Sequence, residues 1–309
     1  MKIGLALGGG GVKGVAHIGV LRVLEAEHIP VDVIAGSSAG AIAGALFAAG
    51  KTADEIQLLM RQMTFRKWFA RDSSGLGLFS TDGMHRLIES AVGEDVNIED
   101  LPRRFVCVAV DLDAQQEVVF SSGPLADAVC ASAAYPGLFA PVRNDGRMLF
   151  DGGVLNPVPF DVARRYGADC VIAVDLGAHE PFFATLDSAE LRLGNPLWQL
   201  FYTLSHQKMF RVIERSLEIM LRQIRDQKFK ESPPDLIIYP KVREIGLLDF
   251  HLVETCMANG EHAARELLPE IQRLANPPQP IPVPKPWQKL SARIRNAIAM
   301  RRMRNAAGE

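Results

Sequence analysis

Two short stretches and one acid carry the residue types that acyl chemistry needs. The first stretch is Gly36-Ser37-Ser38-Ala39-Gly40, set where the apolar run Val31 to Ala35 gives way to the small-residue run Ala39 to Ala49. This is G-x-S-x-G, a sharp strand-to-helix turn that holds a serine hydroxyl at the carboxyl edge of a sheet. Gly36 and Gly40 let the backbone turn and let strand and helix approach closely. The helix N-terminus behind Ser38 offers free N–H groups and the positive end of a dipole, both favourable to a developing oxyanion. The same five residues also suit a plain glycine-rich βα turn, so the motif alone leaves both readings open. The acid is Asp151, which with Gly152 and Gly153 ends the short strand Met148-Leu149-Phe150. An acid there either reaches a site at the sheet edge or is an ordinary turn aspartate.

The second stretch, Gly8-Gly9-Gly10-Gly11-Val12-Lys13-Gly14, follows the strand Lys2 to Leu7. A phosphate-binding P-loop ends in Gly-Lys-Ser/Thr, whereas this loop ends Val12-Lys13-Gly14, so that reading fails. Gly9, Gly11 and Gly14 satisfy G-x-G-x-x-G, but a dinucleotide site also needs an acid near the end of the second strand. That strand ends Ile34-Ala35-Gly36-Ser37, and Asp32 is at its start. The better reading joins the two loops. Both follow strands of one βαβ unit, so both open at the same edge of a parallel sheet. The N–H groups of Gly10 and Gly11 then face the carbonyl that Ser38 attacks, and such donors contribute about 2.7–4 kcal/mol each to a transition state. Lys13 reads as a solvated first-turn lysine that adds positive field.

These residues need a scaffold, and the remaining pattern supplies one. Helices are expected over Val15 to Glu27, Asp54 to Met63, Thr81 (as cap) to Val92, Pro124 to Ala133 and Asn156 to Tyr166. Arg104 to Asp111 and Glu117 to Phe120 read as paired strands. Asp169 to Asp175 reads as a buried strand, with Asp175 ending it much as Asp151 ends its own. Thr64 to Ser80, with Trp68, Phe69 and Phe79, reads as a surface segment or lid. Pro196 to Lys230 is a long amphipathic helical pattern that covers the sheet or exposes an acyl-binding face. Leu236 to Tyr239 is a short strand stopped by Pro240, and Asp249 to Leu274 is the last helix of the body.

Composition bounds the class. With 309 residues, 48% hydrophobic and 23% charged, the chain buries a large core without staples. Cys107, Cys130, Cys170 and Cys256 form no C-x-x-C and read as reduced, buried thiols of a cytoplasmic protein. No metal or other cofactor is expected, because no His/Cys/Asp set has ligand spacing. Met1 to Leu7 is too short an apolar run for a signal peptide. Val33 to Gly50 has no charge, but its glycines and turn signal favour a buried strand and helix over a membrane span. The net charge of −2 is uneven. From Lys285 onward seven basic residues face one acid, Glu309, leaving the body near −8. A body of that sign is no nucleic-acid binder. Residues 1–276 form the body. Residues 277–286, rich in proline, form a semi-rigid linker. In 287–309, Trp287, Leu290, Ile294 and Ile298 share one helical face among arginines. This basic amphipathic helix suits an anionic membrane surface, a partner or the body itself, and would place the protein at the inner face of the membrane.

Taken in order, Gly9-Gly10-Gly11-Val12-Lys13-Gly14, Gly36-Ser37-Ser38-Ala39-Gly40 and Asp151-Gly152-Gly153 resemble the patatin-like phospholipase family. They look most like the compact bacterial members related to the neuropathy target esterase catalytic domain. Ala16-His17-Ile18-Gly19-Val20 and the stretch Ala131 to Val142 agree. The resemblance covers residues 1–180, is loose to about 275 and is silent on the tail. It implies a three-layer α/β/α fold with a mostly parallel central sheet. It also implies hydrolysis of lipid acyl esters, phospholipid or lysophospholipid, by a Ser–Asp dyad without histidine. Ser38 is then the nucleophile and Asp151 the base. Gly9, Gly10, Gly11 and Gly14 form the oxyanion hole, Gly36 and Gly40 the elbow, and Gly152 and Gly153 the acid motif. An ordinary aspartate, with a pKa of about 3.9, is a poor base for serine. The dyad therefore requires direct contact and a dry pocket that raises the acid's basicity. A Ser-His-Asp triad is the rival, with His179, four residues past Asp175, as its histidine. His17 reads as packing support. Two other functions use the same residues: a catalytically weak regulatory or membrane-associated interaction protein, and an acyltransferase with the same serine.

Overall fold

Strands that are apolar along their whole length need cover on both faces, and three segments here have that character. They are β1 (Ile3–Leu7), β2 (Val33–Ser37) and β7 (Cys170–Val174), buried at every residue. β1 pairs in parallel with β2 on one side and β7 on the other. β8 (Leu236–Ile238) extends the sheet in parallel beyond β7, and β3 (Arg104–Asp111) extends it in parallel beyond β2. Three antiparallel strands complete it: β4 (Gln116–Phe120) on β3, and the hairpin of β5 (Val142–Asn144) and β6 (Arg147–Asp151), with β6 on β3. The computed structural model describes residues 1–62, 69–177, 208–242, 245 and 252–276. The chain divides after Ala275. Residues 277–309, with the expected linker and basic helix, lie outside the described residues.

Alternate side chains of each strand enter opposite cores, as the two-residue period requires. Leu5, Leu7, Ile34, Phe105, Cys107, Ile172 and Val174 face one layer. That layer contains α1 (Ala16–Ala26), α2 (Ala39–Ala48), α3 (Ala53–Gln62) and α8 (Val253–Glu266). Ala6, Val33, Ala35, Val106, Val108, Val171 and Ala173 face the other. There Phe160 of α6 (Phe160–Arg165) meets Phe229 of α7 (Lys208–Glu231) at 5.3 Å between ring centroids. The result is a three-layer α/β/α fold with a mostly parallel central sheet. The charge-free run from Val33 to Gly50 is β2 followed by α2. Among the described residues no helix is long and apolar enough to cross a membrane. All four cysteines are buried and unbridged.

Several expectations change. The helix after the glycine loop starts later than Val15, because Gly11–Val15 first forms a 3-10 turn. Thr81 precedes α4 (Asp82–Val92), but its side chain makes no capping hydrogen bond. Phe69 and Phe79 are not on the surface: with Phe139 they form a buried ring cluster, Phe69 and Phe79 4.9 Å apart edge-on. Phe79 also pairs with Phe139 through the backbone. Burial of three aromatics offsets the polar content of that segment, which local composition does not register. Trp68 lies outside the described residues. Of the pattern from Pro196 to Lys230, only the part from Lys208 is described. The last helix is two, α8 and α9 (Leu268–Ala275), broken ahead of Pro269, which has no N–H to continue the ladder. The strand β5 was not expected. Its link to β6 turns at Asp145 and Gly146, both at positive φ, an Asp-Gly hairpin turn.

Candidate active site

The topology of β3 brings together residues far apart in the chain. β4 pairs with Cys107 to Asp111 along one edge of β3. β2 pairs with Arg104 to Val108, and β6 with Ala109 to Asp111. Both overlap β4, so both lie on the opposite edge, end to end. β2 runs up to Ser37 opposite Val108, and β6 runs down to Asp151 opposite Ala109. Ser38 follows directly, and its Oγ donates to Asp151 Oδ2 at 2.6 Å. Gly152 sits where a Cβ would run into the Val108 carbonyl, so only glycine lets the chain after the acid pack this closely on β3.

The serine turn is strained. Ser38 has φ +53° and ψ −123°, a conformation that costs a non-glycine residue about 1–3 kcal/mol and persists only where its surroundings enforce it. Those surroundings are visible. A Cβ on Gly40 would overlap the Leu7 carbonyl, and one on Gly36 would lie 2.5 Å from Ala41 Cα, so α2 packs directly on β1 and β2. The N–H of Ser38 donates to Ser132 Oγ at 3.1 Å.

Asp151 is buried. Its Oδ1 accepts the Gly153 N–H at 2.7 Å, and its Oδ2 takes the serine hydroxyl. Burial pushes its carboxyl up to about 6, while the hydrogen bonds from Ser38 and Gly153 hold it from rising further.

The glycine loop stands over Ser38, and the four glycines expected there differ in what they offer. Gly9 donates its N–H to the Pro157 carbonyl at 3.0 Å and lies where a Cβ would press on Ser38 Cβ at 3.2 Å. Gly14 packs on Ala39, where a Cβ would collide with the alanine methyl. These two serve by close fit. Gly10 and Gly11 line the cavity beside Ser38, and neither N–H has a hydrogen-bond acceptor among the described residues. His17, fully buried on α1, donates Nε2–H to the Gly8 carbonyl at 2.7 Å. That bond fixes its tautomer, and burial lowers its pKa to about 4, so it is neutral at physiological pH. It props the start of the loop. α1 is itself locked in place where Gly19 and Gly260 let the backbones of α1 and α8 touch.

The cavity over Ser38 and Asp151 holds about 290 Å³. One end is polar, at the glycine loop. The other walls are largely apolar, with Ile42, Leu46, Met60, Met84, Leu138 and Phe139, and α7 adds Glu218, Arg222 and Arg225 to the lining. No histidine among the described residues lines it, and His179 lies outside them. Asp175 does not mirror Asp151. It pairs with Arg225 of α7, Oδ2 to Nη1 at 3.1 Å, both side chains almost fully buried. Arg225 also donates to the Gly177 carbonyl at 2.6 Å, which pins the chain after β7 beside the loop. Sequence reasoning missed Arg225 and Ser132. Arg225 is one of many charges on a long helix, and nothing local marks it. Ser132 lay within the stretch Ala131 to Val142 but binds a main-chain group, which has no signature of its own.

Known proteins resemble this chain in sequence and in fold. The family model described as patatin-like phospholipase matches residues 5–164. An uncharacterized NTE family protein of Mycobacterium tuberculosis is 40% identical over 182 residues, 58% of this chain and 50% of that protein. The chain thus spans about half the length of that relative. Lysophospholipase nte1 of Aspergillus niger is 28% identical over 299 residues, 90% of this chain and 19% of that protein. Among solved structures, VipD from Legionella pneumophila shares the fold at a TM-score of 0.52 and 15% identity, over 87% of this chain and 66% of that one. The matched segment contains the glycine loop, the serine turn and the acid strand, and with it the chain belongs to the patatin-like phospholipase family.

Proposed function

We propose that the chain is a serine hydrolase of lipid acyl esters, of phospholipase A or lysophospholipase type, working through a Ser38–Asp151 dyad. The observation that carries this reading is the 2.6 Å contact between the Ser38 hydroxyl and a buried carboxylate, in a cavity whose walls are largely apolar. Ser38 Oγ attacks the ester carbonyl as its proton passes to Asp151. The carbonyl oxygen becomes an oxyanion under the N–H groups of Gly10 and Gly11. The C–O bond then breaks, and the departing alkoxide takes the proton from Asp151. A water that gives its proton to Asp151 attacks the acyl-enzyme and releases the fatty acid and the serine. A carboxyl raised to about 6 is a far better base than an exposed aspartate and is still ionised at pH 7. Position supplies the rest of the rate, since the reacting oxygen and its base are already in contact. The apolar walls suit an acyl chain. The relative named lysophospholipase supports an ester of this class.

The test is a panel of phospholipids and lysophospholipids assayed for released fatty acid, with wild type, Ser38→Ala and His179→Ala, alongside fluorophosphonate labelling. The expected result is hydrolysis and labelling that vanish with Ser38→Ala and survive His179→Ala. Loss of activity in folded His179→Ala would replace the dyad with a triad. An unlabelled wild-type serine would make the chain a binding module, and acyl transfer to an acceptor other than water would make it a transferase.

A further inference from the structure

The stretch Ala131 to Val142 has no part in the chemistry above, yet it touches both halves of the dyad. Ser132, the last residue of α5 (Leu125–Ser132), is fully buried, and its Oγ accepts the Ser38 N–H at 3.1 Å. Two residues on, the Ala134 carbonyl accepts the Asp151 N–H at 3.1 Å. The segment between is stiff. Ala133 N–H bonds back to Val129 and Cys130, Tyr135 N–H to Ala133, and Phe139 N–H to Tyr135. A single rigid turn therefore binds the main chain at the nucleophile and at the acid. We propose that Ser132 is a positioning residue for the dyad. Through the Ser38 N–H it holds the strained turn, while Ala134 holds Asp151, and the short link between them sets the distance from hydroxyl to carboxylate.

Two consequences follow from the atoms involved. The N–H of Ser38 is occupied and does not serve the oxyanion, which leaves that task to donors such as Gly10 and Gly11. Removing the Ser132 hydroxyl leaves the Ser38 N–H without its acceptor and lets the turn relax, so the hydroxyl of Ser38 drifts from Asp151. Misplacement of that kind, of the order of 1 Å, costs about 10²-fold in turnover. It also withdraws a hydrogen bond that holds the Asp151 carboxyl down, so the acid limb of the rate profile moves to higher pH.

This inference rests on the dyad reading, and the experiment separates the two. Wild type, Ser38→Ala, Ser132→Ala and Ser132→Cys are compared for kcat, KM, the pH dependence of kcat/KM and thermal melting. With Ser132→Ala the expected result is kcat down about 10²-fold, KM little changed and the acid limb shifted upward. Ser132→Cys keeps the volume with a weaker acceptor and should fall between it and wild type. Should Ser132→Ala lack a cooperative melt, Ser132→Cys is read in the same way. A folded variant with wild-type kcat and an unmoved acid limb would overturn the positioning role while leaving the dyad standing. If Ser38→Ala is itself as active as wild type, the dyad reading fails, and this inference with it.

Discussion

Replacing Asp151 with asparagine separates what this acid does for catalysis from what it does to the fold. Burial raises its carboxyl from 3.8 to about 6. A shift of roughly 2 units at 1.36 kcal/mol per unit is about 3 kcal/mol. The folded state binds this proton more tightly than the unfolded chain. The contribution of Asp151 to stability is therefore fully present below pH 4 and is lost as pH rises through 6. An asparagine in its place would be neutral at every pH, close to isosteric, and able to accept the Gly153 N–H. Asp151→Asn should thus be more stable than wild type by about 3 kcal/mol at pH 8, with the gap closing by pH 4. His17 works in the opposite direction. Its pKa falls from 6.5 to about 4 on burial, so its contribution is present above 6.5 and lost as pH falls through 4. In wild type the two slopes nearly offset between pH 6.5 and 4, and the asparagine variant should expose the His17 slope. Denaturant unfolding at pH 4, 6 and 8 measures both, and turnover at pH 8 should drop about 10³-fold as the base is lost. A variant no more stable than wild type at pH 8, with a gap that does not change with pH, would refute the desolvation argument. Retained turnover would instead remove Asp151 from the mechanism.

Two further outcomes are open to direct measurement. Arg225→Met breaks the buried ion pair with Asp175 and should destabilise the body by about 3–5 kcal/mol, read by urea unfolding. Deleting residues 285–309 should weaken co-sedimentation with phosphatidylglycerol vesicles while leaving turnover of a soluble ester unchanged, since that segment sets seven basic residues against one acid. Equal sedimentation of both forms would end the membrane reading of the tail.

The parallel half of the fold was readable because its signals are local. β1, the glycine loop, α1, β2, the serine turn and α2 follow one another along the chain, and a right-handed βαβ unit admits few ways to place them. The loop and Ser38 therefore had to share an edge. Asp151 was reached by its motif and not by geometry, because the register of β6 on β3 is a pairing across many intervening residues. The Asp145-Gly146 turn that announces the hairpin is local, and it went unread because only three residues of β5 precede it. The aromatic cluster of Phe69, Phe79 and Phe139 failed for a different reason: each ring is isolated in sequence, and only the closed structure places them against one another. Main-chain acceptors such as Pro157 and Ala134, which any residue can supply, leave no trace in composition.

The meeting of β2 and β6 on β3 explains how a two-residue site survives between segments so distant in sequence. Val108 and Ala109 are consecutive on one strand, and each pins the end of a different neighbour, Ser37 and Asp151. Those ends therefore meet at consecutive positions along β3. No loop length between Ser38 and Asp151 enters into that. β4 braces the far edge of β3 over the same residues, Cys107 to Asp111, so the splint is held from behind. The Ser132–Ala134 turn closes the open side by binding the two main chains that β3 has brought end to end. Strand register beneath thus sets where the two residues meet, and the rigid turn beside it holds the strained backbone that aims the hydroxyl at the carboxylate. The proposed dyad needs both, because in that reading the direct contact is the route for the proton.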